Sequence, residues 1–184
     1  GNTAQCWTRA AVITLINRSE TVADKAVFFD RDGVLDVDEG YLFRPEELKW
    51  IPGARESVAY LTKLGYKVFV VTNQSGIARG FYTVEQMNKL HDFMQAELQK
   101  LGGSITKFYY CPHHPTKGTV PQYSIECNCR KPKPGMILKA FAEYDLDKDN
   151  SFLVFFMPKD LAAAKAACLR GYQFAGGDLL EFIK

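Results

Sequence analysis

Two carboxylates separated by one residue follow an apolar run near the start of the chain. The run 25–29 reads KAVFF, and Asp30, Arg31, Asp32 and Gly33 come directly after it. A carboxylate can attack phosphorus and form an aspartyl-phosphate, while a second one can protonate the leaving oxygen and then activate water. Such oxygen ligands also suit Mg²⁺. The pair therefore indicates Asp30 as a nucleophile and Asp32 as a general acid and base, the alternative being a plain Asp-Gly turn.

Side chains able to hold a phosphate group follow two later segments. After the apolar run 67–71 come Thr72, Asn73, Gln74 and Ser75. Hydroxyl and amide groups at a strand end can donate to phosphate oxygens. Further along, Pro132 and Pro134 stiffen a basic stretch. There Lys131 could neutralise a nucleophile and a transferring phosphoryl group, and Arg130 could grip a second phosphate or a sugar hydroxyl. A solvated basic turn is the alternative.

Three of the five cysteines cluster with two histidines in a stretch that has no hydrophobic periodicity. The cluster contains Cys111, His113, His114, Cys127 and Cys129, whereas Cys6 and Cys168 lie far from it in the sequence. Such clustering favours a metal site over disulfides. Three thiolates and one imidazole suit tetrahedral Zn²⁺, and no ligand position is then left for water. We expect a structural zinc loop at 111–129, the alternative being free cysteines.

Alternating strands and helices must position these groups. The patterns predict strands at 25–29, 67–71, 107–110, 151–156 and 171–174, and helices at 55–64, from Thr83 to Gly102, and at 134–144, 159–169 and 178–183. Thr83 and Gln86 have the spacing of a capping box. Near-continuous apolar strands separated by helices indicate an α/β fold with a doubly wound parallel sheet. Ligands of such sheets bind beyond the carboxyl ends of the strands, so the groups above should converge at one edge.

Size and composition limit the classes of function. A chain of 184 residues with 47% hydrophobic residues can bury one domain-sized core. The net charge of +2 argues against a nucleic-acid partner. No apolar run reaches the roughly 18 residues that a membrane span needs. We expect a cytoplasmic monomer without a membrane or nucleic-acid partner. We divide it into an N-terminal extension of unknown role (1–24), which could add a strand or be disordered, and a phosphatase domain (25–184).

In combination, the motifs resemble those of the haloacid dehalogenase superfamily of phosphatases. More narrowly, FFDRDGVL, TNQSGIARG, CPHH with CNCRKPKPGM, and DEGY at 38–41 are similar to the family of D-glycero-D-manno-heptose 1,7-bisphosphate 7-phosphatases. The resemblance covers residues 25–184. It implies a Mg²⁺-dependent fold with a small zinc loop and no large cap domain. It also implies a sugar-phosphate substrate that loses its 7-phosphate through an aspartyl-phosphate, on the route to nucleotide-activated heptose for bacterial surface glycans.

The same resemblance distributes roles over matching positions. The catalytic set is Asp30, Asp32, Thr72 and Lys131. The substrate-binding set is Asp38, Glu39, Gly40, Tyr41, Asn73, Gln74, Ser75 and Arg130. The Zn²⁺ ligands are Cys111, His113, Cys127 and Cys129, with His114 left as a loop residue. Mg²⁺ is expected on Asp30 and Asp32.

One motif departs from the family pattern. The family reads V-G-D-K-x-x-D after the fourth strand, and residues 154–160 read VFFMPKD. Phe156 stands where the third Mg²⁺ ligand is expected, Phe155 replaces the glycine and Met157 the lysine. Three interpretations are open. The chain is an inactivated phosphatase, or Asp160 serves as the Mg²⁺ ligand after a local shift of the backbone, or the motif is aligned at the wrong residues. A phenyl ring cannot ligate Mg²⁺, so we expect weak Mg²⁺ binding and low activity, both restored by Phe155→Gly with Phe156→Asp.

Two other functions remain open from the sequence. One is histidinol phosphate phosphatase, a relative that also carries a zinc loop, although the run 73–80 (NQSGIARG) favours the heptose enzyme. The other is a catalytically inactive protein that binds a sugar phosphate, which Phe156 favours.

Overall fold

Five parallel strands form one sheet, and the computed structural model describes it together with the rest of residues 22–184. The strands are β1 (Ala26–Phe29), β2 (Lys67–Asn73), β3 (Lys107–Cys111), β4 (Phe152–Phe155) and β5 (Arg170–Gln173). They lie in the order β3-β2-β1-β4-β5, and every neighbouring pair is parallel. The central strand β1 is buried along its whole length, which explains why its sequence is a continuous apolar run.

Five α-helices connect and cover the strands in residues 22–184. They are α1 (Ala54–Lys63), α2 (Val84–Gln99), α3 (Gly135–Glu143), α4 (Pro158–Ala166) and α5 (Leu179–Ile183). The predicted capping box opens α2: Thr83 Oγ1 accepts from the Gln86 amide at 3.1 Å, and Gln86 Oε1 accepts from the Thr83 amide at 2.9 Å. This reciprocal pair satisfies two amide groups that the first turn would otherwise leave without partners.

The two faces of the sheet bury separate apolar clusters. On one face Val27, Val68 and Val154 pack with apolar side chains of α1, α2 and α5. On the other face Phe28 and Phe69 pack with side chains of α3 and α4. Helices therefore cover both faces of a parallel sheet, which confirms the predicted doubly wound α/β fold. No helix in the described part of the chain is both long and apolar enough to span a membrane.

The strand ends bring the polar groups to one edge. Phe29 is in register with Val70 of β2 and with Val154 of β4, so the residues that follow these strands lie side by side. β2 runs two residues further than predicted, because Asn73 still pairs with Cys111 of β3. Most other bounds differ from the predicted ones by one or two residues, although α2 and α4 end about three residues early.

The predicted N-terminal extension lies outside the described residues except for 22–24. The division of the chain into this extension and a phosphatase domain, and the lack of a large cap domain, stay predictions.

Candidate active site

Asp30 and Lys131 form a buried ion pair at the carboxyl edge of the sheet. Lys131 Nζ lies 3.0 Å from Asp30 Oδ1 and donates at 3.0 Å to the carbonyl of Val71. It also lies 2.5 Å from Asp160 Oδ1, and the Asp160 side chain is completely buried. The ammonium is thus fixed between two carboxylates and a strand carbonyl, beside the carboxylate that the sequence indicates as a nucleophile.

The charges of this pair follow from burial and from each other. Burial raises the pKa of Asp30 to about 6, although Lys131 opposes this shift. Burial also disfavours the ammonium of Lys131, but Asp30 and Asp160 outweigh it and raise the pKa of Lys131. The lysine therefore remains charged at neutral pH, while Asp30 takes up a proton only in mildly acidic solution.

The backbone of Lys131 is held by the side chain of Asn73. The Asn73 amide donates to the Lys131 carbonyl at 3.1 Å, and Asn73 Oδ1 accepts from the Lys131 amide at 3.0 Å. Asn73 was expected among the substrate contacts, and in the structure its side-chain nitrogen and oxygen both hydrogen-bond to the backbone of Lys131. This is a direct link between the end of β2 and the residue that holds Asp30.

Asp32 lies at the surface end of the loop after β1, with a quarter of its side chain exposed. Its Oδ2 accepts from Gln74 Nε2 at 3.2 Å, and the same nitrogen donates to Thr72 Oγ1 at 2.8 Å. Tyr82 donates a short hydrogen bond to Gln74 Oε1. Asp30, Asp32, Thr72 and Lys131, the four expected catalytic residues, are therefore brought together.

In the segment after β4, Phe156 stands where the family pattern has a carboxylate that binds Mg²⁺. Phe156 is 38% exposed, and its ring covers Gly33, where a Cβ would lie 2.9 Å from Phe156 Cδ1. Met157, where the pattern has lysine, is 46% exposed. An apolar surface thus borders the catalytic loop on the side where the family pattern has a carboxylate.

Asp160 is not free to replace that ligand. One oxygen pairs with Lys131, and the other accepts from the Met157 amide at 3.2 Å, at the start of α4. It therefore positions the lysine and the helix. The expected restoring change Phe155→Gly also needs correction, because Phe155 is 2% exposed and part of the core. Removing such a ring costs about 3–5 kcal/mol.

The balance of charge at the edge of the sheet indicates a place for a cation. Three carboxylates meet two cationic side chains: Asp30, Asp32 and Asp160 against Arg31 and Lys131. Asp36 is not counted with them, because burial, and then Asp32, raise its pKa well above the usual range and favour its neutral form. The donors fit Mg²⁺ on Asp30 and Asp32, with waters and a phosphate oxygen in the other positions, since Mg²⁺ usually keeps several waters. Phe156 offers no ligand atom at the position where the family pattern has a third carboxylate.

The expected substrate-binding residues 38–41 form an exposed loop. Asp38 Oδ1 accepts from the Gly40 amide at 3.1 Å, which shapes the exposed 38–41 loop. Tyr41, with a φ of 51°, places its ring edge-on to Phe81 at 4.7 Å. A Cβ on Gly76 would lie 3.0 Å from Tyr41 Cδ1, so the loop approaches the segment that contains Ser75. Glu39 instead pairs with Lys49 at 2.5 Å and is exposed.

The four expected zinc ligands converge. Their ligand atoms all lie within 4.8 Å of one another, the one such His, Cys, Asp or Glu group found in residues 22–184. Cys129 Sγ lies 2.9 Å from Cys111 Sγ and 3.4 Å from His113 Nδ1. Sulfurs on one tetrahedral zinc with bonds of about 2.3 Å would be roughly 3.8 Å apart, so a small expansion accommodates the ion. His114 instead accepts from the amides of residues 116 and 117.

The cysteine loop is attached to the catalytic edge at several points. The backbone N–H of Gln74 donates to the Cys111 carbonyl at 2.7 Å, and the backbone N–H of Thr119 donates to the Ala78 carbonyl at 2.7 Å. Arg130 Nη1 donates to the His113 carbonyl at 3.4 Å, which joins an expected substrate contact to an expected zinc ligand. The loop therefore supports both Gln74 and the segment that contains Lys131.

Sequence reasoning missed four residues of the site. They are Arg31, Asp36, Tyr82 and His91, all buried around Asp32. His91 had a signal, because it falls on the apolar face of α2 between Met87 and Met94, where a polar residue needs a partner. Tyr82 precedes the helix in an irregular segment and had none.

Known proteins provide independent comparisons. Residues 25–166 match the family described as "Polynucleotide kinase 3 phosphatase". The chain is 40% identical over 159 residues to the D-glycero-beta-D-manno-heptose-1,7-bisphosphate 7-phosphatase of Rhodopseudomonas palustris, covering 86% of this chain and 88% of that one. Identity to the Vibrio cholerae protein of the same name is 44%, with 79% and 78% covered. Among solved structures, D,D-heptose 1,7-bisphosphate phosphatase from B. bronchiseptica, complexed with magnesium and phosphate, is similar with a TM-score of 0.74, 34% identity, and 85% and 84% covered.

Proposed function

We propose a function from the premise that the chain belongs to the polynucleotide kinase 3 phosphatase family, within the haloacid dehalogenase-like phosphatases. The proposed reaction is removal of the 7-phosphate of D-glycero-D-manno-heptose 1,7-bisphosphate through an aspartyl-phosphate. One observation carries the chemistry: Lys131 holds Oδ1 of Asp30 at 3.0 Å beside Asp32, at the carboxyl edge of a parallel sheet. An ion-paired, oriented carboxylate next to a second, partly exposed one is the arrangement that two-step phosphate transfer needs.

In the first step an oxygen of Asp30 attacks phosphorus. A bond forms between that oxygen and phosphorus, while the bond from phosphorus to the sugar oxygen breaks. Asp32 gives its proton to the departing sugar oxygen. Lys131 stays protonated throughout and offsets the negative charge of the phosphoryl group, and Thr72 contributes a hydroxyl at the same strand end.

In the second step water attacks the phosphorus of the aspartyl-phosphate. Asp32, now deprotonated, takes a proton from that water, and the bond between phosphorus and Asp30 breaks. Inorganic phosphate leaves, and both carboxylates return to their starting states. Mg²⁺ on Asp30 and Asp32 would supply further positive charge toward the phosphate when bound.

The choice of substrate rests on the names of the similar proteins and on the exposed loop 38–41. Proteins at 40–44% identity carry the name of the heptose bisphosphate phosphatase, with the β anomer in that name. We therefore propose the β anomer as the preferred form. The exposed loop 38–41 would contact the sugar, and Arg130 would hold the second phosphate, since a guanidinium binds phosphate through paired hydrogen bonds. Ser75 would contact the phosphate that is removed.

A direct assay tests this proposal. The chain, supplied with Mg²⁺, should release phosphate from the β-anomeric heptose 1,7-bisphosphate, and phosphorus NMR should show loss of the 7-phosphate while the 1-phosphate remains. Histidinol phosphate and the α anomer are the competing substrates, and both should react more slowly. Asp30→Asn should release no phosphate, because an amide cannot form the acyl phosphate.

The same assay separates the inactive alternative that Phe156 favours. Tight binding of the bisphosphate by calorimetry, with no phosphate release by the chain or by its Phe156→Asp variant, would identify a sugar-phosphate-binding protein. Faster release from histidinol phosphate would overturn the proposed substrate while leaving the proposed nucleophile in place.

A further inference from the structure

Arg31 is a completely buried cation directly behind the catalytic loop. It lies between the two catalytic carboxylates in sequence, and its guanidinium donates to Asp32 Oδ1 from Nε at 3.1 Å and from Nη2 at 2.9 Å. Nη2 also donates to the Leu42 carbonyl at 2.9 Å, and Nε lies 3.3 Å from Asp36 Oδ2. Burying a charge is costly unless it is paired, so these contacts fix the guanidinium in one orientation.

The far side of the guanidinium contacts His91 of α2. Arg31 Nη1 lies 3.2 Å from His91 Nε2 in a buried contact. Arginine can only donate, so His91 Nε2 accepts and the ring proton lies on Nδ1. The imidazole stacks on Phe108 of β3, with ring centroids 4.3 Å apart and planes 11° from parallel. The histidine is therefore held by packing and supports the arginine from behind.

The two oxygens of Asp32 have unequal partners. Oδ1 accepts two charge-assisted hydrogen bonds from Arg31, whereas Oδ2 accepts one longer bond, 3.2 Å, from the neutral amide of Gln74. Oδ1 is therefore fixed by two bonds to a buried cation, and Oδ2 is the less strongly held oxygen. Such a fixed orientation suits a carboxyl group that must meet one particular atom of a substrate.

We propose that Arg31 and His91 are positioning residues, which fix Oδ1 of Asp32 and thereby orient Oδ2 toward the leaving sugar oxygen. The inference rests on the proposed function, in which Asp32 is the general acid. Both side chains are buried, so we expect neither to touch the substrate. Arg31 acts through its contact with Oδ1, and His91 acts through Arg31.

A positioning role predicts a dependence on the leaving group. A sugar alkoxide leaves poorly without a proton, whereas an activated aryl oxide such as p-nitrophenolate leaves without one. His91→Phe keeps the stack on Phe108 and removes the acceptor for Arg31. It should lower kcat/KM for the heptose bisphosphate by roughly 10–100-fold, and for p-nitrophenyl phosphate by less than about 3-fold.

Two further variants separate positioning from a loss of stability. His91→Gln restores an acceptor and should recover most of the activity on the sugar phosphate. Leu98→Ala, at a buried site two turns further along α2, is the matched control. It destabilises the same helix and should lower the activity on both substrates by the same factor. Equal losses on both substrates for His91→Phe would overturn the proposal.

A crystal structure of His91→Phe gives a readout that needs no turnover. We expect the paired contacts from Arg31 to Asp32 Oδ1 to be lost or lengthened and the carboxylate to rotate. An unchanged Asp32 carboxylate would overturn the proposal whatever the kinetics show. If the chain and its Phe156→Asp variant hydrolyse neither ester, the proposed function fails. The crystal structure of His91→Phe would still show whether Arg31 and His91 position Asp32.

Discussion

At the scale of single residues, Lys131 organises the site. Three segments meet on it: Asp30 from the end of β1, Asp160 from α4 and the Val71 carbonyl from β2. The family pattern was enough to predict Asp30, Asp32, Thr72 and Lys131 as one group, because each follows an apolar strand or precedes a helix. The partners behind them were not predictable, since no local pattern shows that Arg31 turns inward or that Asn73 clamps a backbone 58 residues away.

The raised pKa of Asp30 predicts how stability changes with pH. Its pKa is about 6 in the folded chain and 3.8 in the reference state, with burial as the main cause. The folded state thus binds the proton more tightly. The resulting stability is fully present below about pH 4 and is lost as the pH rises through about 6, by at most about 3 kcal/mol.

In Mg²⁺-free protein, Asp30→Asn should remove this pH-dependent contribution to stability. The variant should match or exceed the parent in thermal stability at pH 8 and lose that advantage at pH 5, by calorimetry without chelator. Asp92→Asn, at an exposed carboxyl on α2, is the control and should leave the difference between the two pH values unchanged. A lower stability of Asp30→Asn at pH 8 would mean that the contact with Lys131 outweighs the burial of the charge.

We expect Phe156 to limit the affinity for Mg²⁺. Phe156→Asp should bind Mg²⁺ at least about tenfold more tightly, because the metal gains a charged oxygen ligand. It should also release phosphate faster. Phe156→Asn is the matched variant, because it removes the same ring from Gly33 but supplies no charge. Calorimetric titration with Mg²⁺ compares the affinities of the three proteins. An equal increase in affinity for the Asn and Asp variants would assign the weak binding to the bulk of the ring and contradict a missing ligand.

At the scale of elements, the cysteine loop connects the Cys/His cluster to the edge of the sheet where Asp30 and Lys131 lie. The spacing of Cys111, His113, Cys127 and Cys129 was sufficient to predict the cluster that the structure forms. The path of the loop was not predictable, because residues 111–129 have no periodicity and are held by scattered contacts such as those of Thr119 and Arg130. The α2 capping box was predictable, since it depends only on Thr83 and Gln86.

Loss of His113, the expected zinc ligand, should disturb the segment that contains Lys131. His113→Ala should bind less zinc by elemental analysis and lower kcat, because the freed loop no longer supports the segment that contains Lys131. His114→Ala, one residue further, is the matched control and should keep both zinc and activity, since His114 lies outside the ligand cluster. Full zinc in the His113 variant, or zinc loss in both, would contradict the assigned ligand set.

At the scale of the whole molecule, strand order decides which residues meet. Because β1 lies between β2 and β4, the segments after all three strands share one edge. The alternation of apolar runs and helices was sufficient to predict a doubly wound parallel sheet. It did not give the strand order, which depends on the direction of each connection. That order is what turns separate motifs into one site with Asp30 at its centre.

Chemical trapping tests most directly whether Asp30 becomes phosphorylated during turnover, as we propose. The chain is mixed with the heptose bisphosphate and Mg²⁺ and quenched with borohydride, which reduces an acyl phosphate to an alcohol. Peptide mass spectrometry should then find homoserine in place of the aspartate at position 30, only when substrate is present, and none at position 32. Phosphate release without any modification of Asp30, or with the modification at another carboxylate, would contradict this account.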